Sequence, residues 1–268
     1  MKTDKGLSLF LALLLPGLLT PVSAIAGEAG VDVSGVDAEE QRAREIMRKI
    51  DDLWRQRSSY ARLSMEVKTR HYQRKLKLEA WSKGTEKSLI RILYPVKEKG
   101  TASLKSDTHL YTYLPKTDRT IRLSAGMMSG SWMGSHFTND DLVQDSRRER
   151  DYRIKISFEG LRNNQKLMEF TLIPHPDAAV VWGKVVTVVS LPDYLPVSEV
   201  FYDEDMSVAR TLEFKKIKLL GGRRMPSVLR MTPADKSGEY TELVYETLKF
   251  NIGIKDSFFS LNQLRRKY

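Results

Sequence analysis

The densest gathering of reactive side chains lies between Ser131 and Asp141, a stretch that holds Ser131, Ser135, His136, Asp140 and Asp141. A serine, a histidine and an orienting carboxylate in mutual contact would supply the nucleophile, base and orienter of acyl transfer. Here all three would have to come from one short loop, and the same residue types have a plainer use. Ser and Gly make a loop adaptable, and Asn139 or Asp140 can cap a short helix through Leu142 and Val143. His136 with Asp140 or Asp141 could begin a metal site, but with no second histidine nearby the donor set is thin. His71, His109 and His175 stand singly, the last inside the rigid turn Pro174-His175-Pro176-Asp177. The chain holds no H-E-x-x-H, no G-x-S-x-G elbow, no P-loop and no G-x-G-x-x-G. The reading is a protein without a catalytic residue, metal or cofactor, and a hydrolase built on Ser131 or Ser135 with His136 is the weakest alternative.

The apolar residues of the same insert are more informative. Trp132, Met133 and Phe137 crowd an otherwise polar stretch, with Met127 and Met128 beside them. Methionine is flexible and polarizable and suits surfaces that accept varied apolar ligands. The insert, Ser124 to Ser146, interrupts a long series of period-two segments. Leu63, Met65 and Val67 alternate with charged or polar neighbours, as do Leu76, Leu78 and Ala80, and Ile90 and Ile92 alternate with Leu89, Arg91 and Leu93. Further segments follow at 101–105, 109–114 and 119–123, and after the insert at 152–158, 167–173, 184–191, 196–203, 208–218, 224–232 and 239–251. Each has one apolar face and one charged face, the pattern of an antiparallel sheet wet on one side. So many amphipathic strands must close, split into two sheets or curl around something. Before them, Ala43, Ile46, Met47, Ile50 and Trp54 recur at helical spacing. This predicts an amphipathic helix over 38–57, N-capped by Asp37, with Glu39 and Glu40 in its first turn. The fold class expected is mainly β (α+β): an incomplete antiparallel β-barrel with the helix across its mouth and the insert as a lid.

The first residues read as an export signal: Lys2 and Lys5, an apolar run from Leu7 to Leu19, and Ala24-Ile25-Ala26, with cleavage expected after Ala26. The run is shorter than the roughly 20 residues that span a bilayer. The expected organisation is a signal peptide over 1–26, a flexible mature N-terminus over 27–37 and a single domain over 38–268, in a periplasmic protein. The chain has no cysteine, hence no disulfide, no thiolate metal site and no residue to receive a lipid anchor. The formal net charge of +10 favours phosphate-bearing partners. Export removes nucleic acid from these and leaves transient contact with anionic membrane surfaces.

Around the insert the sequence resembles the LolA-like outer-membrane lipoprotein-sorting family. The resemblance is carried by Gly130-Ser131-Trp132-Met133-Gly134-Ser135-His136-Phe137-Thr138-Asn139-Asp140-Asp141-Leu142-Val143. Tyr111-Thr112-Tyr113-Leu114-Pro115, Arg119-Thr120-Ile121-Arg122 and Phe258-Phe259-Ser260-Leu261-Asn262-Gln263-Leu264 add to it. It implies an incomplete β-barrel with a lid over a hydrophobic concavity. It also implies a carrier of lipoprotein or lipid acyl chains towards the outer membrane, served by an inner-membrane transporter of the ABC or RND type. A non-catalytic envelope sensor or scaffold beside such a transporter is the alternative. The side chains expected to line the concavity are Leu63, Met65, Val67, Leu76, Leu78, Ile90, Ile92, Trp132, Met133 and Phe137.

Overall fold

The structure, a computed structural model, describes residues 33–143 and 148–266. The expected leader over 1–26 and most of the 27–37 segment lie outside the described residues. Helix α1 (Val33–Asp51) precedes two runs of strands. The first is β1 (Ser58–Lys68), β2 (Gln73–Lys83), β3 (Lys87–Tyr94), β4 (Ala102–Ser106), β5 (His109–Leu114) and β6 (Arg119–Arg122). The second is β7 (Tyr152–Arg162), β8 (Gln165–Pro174), β9 (Lys184–Ser190), β10 (Leu195–Tyr202), β11 (Val208–Leu220), β12 (Arg223–Pro233) and β13 (Tyr240–Phe250). Two short helices, α2 (Arg148–Asp151) and α3 (Leu261–Leu264), complete the set.

All thirteen strands form one antiparallel sheet in the order β6-β5-β4-β3-β2-β1-β13-β12-β11-β10-β9-β8-β7. Each run is a meander, and the two join where β1 pairs with β13. The outer strands β6 and β7 do not pair with each other, so the barrel stays open, as the strand count and periodicity predict. Tight turns set the register. Asn163-Asn164 and Gly221-Gly222 all have positive φ, the geometry of two-residue hairpins whose twist matches that of their strands.

The helix differs from its expected bounds. It starts at Val33 rather than 38 and ends at Asp51 rather than 57. Acidic residues suggest a helix start because they complement the dipole. Here Glu40 lies two turns in and instead meets Arg44 one turn on, at 2.6 Å. The apolar stripe is as expected: Ala43, Ile46, Met47 and Ile50 are buried in the main core with the inward residues of the strands.

The expectation of one wet face fails over β3–β5. Leu89, Ala102, Leu104 and Tyr113 form a second core there with Phe259 and Leu264 of the C-terminal segment. Arg91 and Lys105, which read as solvent-facing, are 0% and 1% exposed. Arg91 donates to the carbonyls of Gln263 and Leu264 at 2.5 and 3.3 Å, satisfying the orphan carbonyl end of α3.

Candidate functional site: a hollow under the insert

Strand order explains where the insert must go. It connects edge strand β6 to edge strand β7, the two ends of an open sheet. The chain therefore has to cross the mouth of the barrel, and the crossing segment lands on the inward face. The Trp132 indole Nε1 donates to Ser103 Oγ at 3.0 Å, and Trp132 is 4% exposed.

Beneath it lies a hollow of about 270 Å³. Cross-strand register shows why space remains. One inward row runs Leu63–Leu78–Ile92 across β1, β2 and β3. The next runs Ala61–Ala80–Ile90 and continues to Ser103 on β4. The third is Ser59–Ser82–Ser88, with the first two hydroxyls 2.7 Å apart. Short side chains in the second and third rows leave volume that a row of leucines would fill, since protein interiors are otherwise close-packed. Leu212, Phe214, Leu229, Met231, Leu243 and Tyr245 of β11–β13 form the facing wall. Trp54, just past α1, stacks near Phe214 and Tyr245 with ring centroids 5.7 and 6.4 Å away.

Charge is confined to paired groups. Arg148 is 4% exposed and reaches Asp51 of α1 at 3.0 Å and Glu199 of β10 at 3.4 Å, while the Thr187 hydroxyl donates to Glu199 at 3.2 Å. Arg210 holds the insert from β11. It donates to both Asp141 oxygens at 2.8 and 2.5 Å and to the His136 carbonyl at 3.0 Å. Its guanidinium packs against the adjoining rings of Trp182 and Phe201, 4.2 and 4.3 Å from their centroids. From the other side, Arg74 donates to the Met133 carbonyl and the Tyr72 hydroxyl to the Gly134 carbonyl, the latter at 2.6 Å.

The reactive residues of the insert are spent on this docking. Ser131 Oγ donates to the Ser135 carbonyl at 2.5 Å, and Ser135 Oγ donates to the Trp132 carbonyl at 2.7 Å. His136 Nδ1 meets Thr241 Oγ1 at 2.9 Å and Nε2 meets Glu239 Oε2 at 3.1 Å. The backbone N–H of Arg70, and after it His136, hold the Glu239 carboxyl below its ordinary range. Serine, histidine and Asp141 thus face three different sets of partners, and no acyl-transfer geometry forms. Asn139 does not cap the short helical turn at 140–142 with its side chain; its amide donates to the Met127 carbonyl at 3.0 Å.

Of the ten side chains expected inward, Leu63, Leu78, Ile90, Trp132 and Phe137 line the hollow. Met65, Val67, Leu76 and Ile92 lie on the same face but pack in solid core, and Met133 packs against that core from the insert. Met127 is 43% exposed, and Met128 joins a small separate cluster with Leu110, Leu123 and Val143. Sequence reading put Ala80 on the apolar face of its strand without naming it as a lining residue, and it missed Ala61 and the three serines, although their inward parity was readable. It also missed Arg148 and Arg210, whose partners lie far away in sequence.

A family profile whose description reads "Uncharacterized protein" matches residues 84–266, well over half of the chain. An outer membrane lipoprotein-sorting protein domain from Vibrio parahaemolyticus superposes with a TM-score of 0.71 at 27% identity, over 85% of this chain and 100% of that one. The chain belongs to the LolA-like family. A LolA superfamily protein from Nitrosomonas europaea has the same fold at TM-score 0.70 and 23% identity, covering 82% of this chain and 98% of its own. A DUF1329 family protein from Desulfovibrio piger reaches 0.74 at 20% identity, over 85% and 98%. No curated protein matches the sequence. Among the described residues, no helix of this LolA-like chain is long and apolar enough to cross a membrane.

Proposed function

We propose that this LolA-like protein is a periplasmic carrier that binds acyl chains of lipoproteins or lipids in the hollow and delivers them towards the outer membrane, with an inner-membrane ABC- or RND-type transporter as its donor. The observation that carries the reading is the Ala61–Ala80–Ile90 row, which leaves a largely apolar space of about 270 Å³ in the middle of the core. That size is near the lower end of small-molecule sites, roughly 300–1,000 Å³. It suits one alkyl segment, and a larger cargo would need α1 or the insert to move. Each methylene sheltered from water is worth about 0.8 kcal/mol, so even a short chain rewards burial. The lipoprotein-sorting name of the Vibrio parahaemolyticus relative supports the same direction.

The test is native mass spectrometry of the purified protein together with titration of a fluorescent fatty acid. One bound lipid per chain is expected, and Ala80→Phe, which fills the hollow from the sheet side, should weaken binding at least tenfold while the protein stays folded. Absence of lipid in both measurements, or undiminished binding by Ala80→Phe, would overturn the proposal. The buried ion pairs that fix α1 and the insert favour one other reading, a rigid sensor or scaffold beside a transporter. That reading predicts a stable protein complex and no lipid.

A further inference from the structure

The hairpin of β11 and β12 is laddered to its neighbours over only part of its length, and its tip rests on Leu248 and Phe250 at the end of β13. β11 pairs with β10 only as far as Glu213, and β12 pairs with β13 only from Val228. Residues 214–227 therefore hydrogen-bond as a ribbon of two strands with no third strand in register. The ribbon carries Lys215-Lys216-Ile217-Lys218-Leu219-Leu220-Gly221-Gly222-Arg223-Arg224, a segment without a carboxylate. Lys215 is paired with Glu213 at 2.9 Å, whereas Lys216, Lys218, Arg223 and Arg224 are exposed and make no ion pair with any described residue. Between the cations, Leu219 is 71% and Ile217 44% exposed.

This is not a frayed tip. Leu220 and Met225 are buried, at 8% and 0% exposure. At Gly221, φ is +54° and a Cβ would come within 2.7 Å of the Phe250 ring, so glycine is needed for the turn to close on the sheet. Lys216, at φ +55°, interrupts the ladder opposite Ser227, whose hydroxyl donates to its carbonyl at 2.7 Å, and the register is the same on either side. Solitary exposed leucines are ordinary. Two apolar side chains held on an ordered ribbon among four unpaired cations are not solitary.

We propose that the tip of the β11–β12 ribbon docks the protein on an anionic lipid bilayer, with Leu219 and Ile217 entering the interface and Lys216, Lys218, Arg223 and Arg224 meeting lipid phosphates. Charge complementarity selects this occupant: juxtamembrane cations gain energy at a negative surface, and interfacial binding adds buried apolar area to that attraction. The ribbon also starts at the hollow. Phe214, its first residue, lines that space and touches Trp54. The inference rests on the carrier reading for its purpose but not for its test, because docking is measured without cargo.

The experiment is flotation of the full chain with vesicles of phosphatidylcholine alone and of equimolar phosphatidylcholine and phosphatidylglycerol. Binding is expected only to the anionic vesicles, falling as salt rises. Lys218→Gln with Arg224→Gln should lower partitioning roughly 25-fold, about fivefold for each cation. Leu219→Ser should lower it about tenfold while leaving the salt dependence in place. The pair Lys116→Gln with Arg119→Gln, exposed on the β5–β6 turn and at the start of β6, has the same net charge and should bind as the wild type. Circular dichroism checks that each variant is folded. Failure of the wild type to bind anionic vesicles, as an acidic protein partner would predict, overturns the proposal. So does equal loss in the two charge pairs, which would mean general basicity. Lipid extraction by native mass spectrometry reports on the hollow separately, so each reading can fail alone.

Discussion

Asp141→Ala should destabilise the protein by about 3 kcal/mol. The value comes from what it would leave behind. Arg210 is 5% exposed at its side chain, and its guanidinium packs against the adjoining rings of Trp182 and Phe201, so little water can replace a lost partner. Its Nε already lacks an acceptor among the described residues. Without Asp141 the cation would keep only the His136 carbonyl. Stranding a buried charge by removing its partner costs about 3–5 kcal/mol, and the lower end applies because Asp141 is 13% exposed at its side chain. Thr138 would also lose the acceptor of its backbone N–H, now 2.7 Å away. For a domain of this size about 3 kcal/mol corresponds to a Tm lowered by roughly 6–12 °C. The assay is urea and thermal unfolding followed by circular dichroism, on Asp141→Ala, Arg210→Met and the double variant. Arg210→Met should cost only about 1–2 kcal/mol, since the carboxylate keeps Thr138 and some solvent. The double variant should be more stable than Asp141→Ala alone. A loss below about 1 kcal/mol for Asp141→Ala, or additive losses in the cycle, would refute the argument that this pair fastens the insert.

Two further outcomes are expected. Trp132→Phe should cost about 1–3 kcal/mol, because Ser103, 2% exposed, loses the indole N–H that now reaches it; chemical denaturation measures this, and an unchanged midpoint would mean that the hydroxyl finds another partner. Lys83 and Lys87 lower the Asp256 carboxyl from 3.8 to about 2. A folded value below the unfolded one gives stabilisation present above about pH 4 and lost as pH falls towards 2. The Tm gap between wild type and Asp256→Asn should therefore be constant at neutral pH, close across that acid window and shrink with added salt; a gap that widened in acid would contradict the assignment.

The strands were legible because each alternates with period two, and the turns because Asn163-Asn164 and Gly221-Gly222 supply the positive φ that short hairpins need. Alternation reports a face, not a depth. It therefore grouped Met65, Val67, Leu76 and Ile92, which pack solidly, with Leu63, Leu78 and Ile90, which border space. The space itself lies over what is small, Ala61, Ala80 and Ser59, whose parity is legible but whose size tells nothing until the register sets them side by side. The ion pairs were out of reach for a different reason. Arg210 meets Asp141 across 69 positions and Arg148 meets Asp51 across 97, so only the fold brings them together. The same holds for the C-terminal segment, whose Phe258-Phe259 marks the family but whose burial of Arg91 and the outer face of β3–β5 needs three-dimensional proximity.

A core gives up about 24 cal/mol for each Å³ that neither side chain nor water occupies. The hollow is partly open and its rim carries Asp51, Asp141, Arg148 and Glu199, so only its apolar part along the Ala61–Ala80 row bears that cost. A chain with no use for that space could recover much of the cost by enlarging Ala61 or Ala80. Instead the cost is offset at the rim, by Arg148 between α1 and β10 and by Arg210 between β11 and the insert, which hold the cover in place without filling the space beneath it. Hydrocarbon entering the hollow would restore the missing contacts, so occupancy and stability are coupled by mass action. On the carrier reading, a delipidated protein should melt lower than the loaded one and Ala80→Phe should melt at least as high as the empty wild type. If filling the hollow from the sheet lowered the melting temperature, the space would be an essential part of the packing, not a vacancy waiting for a guest.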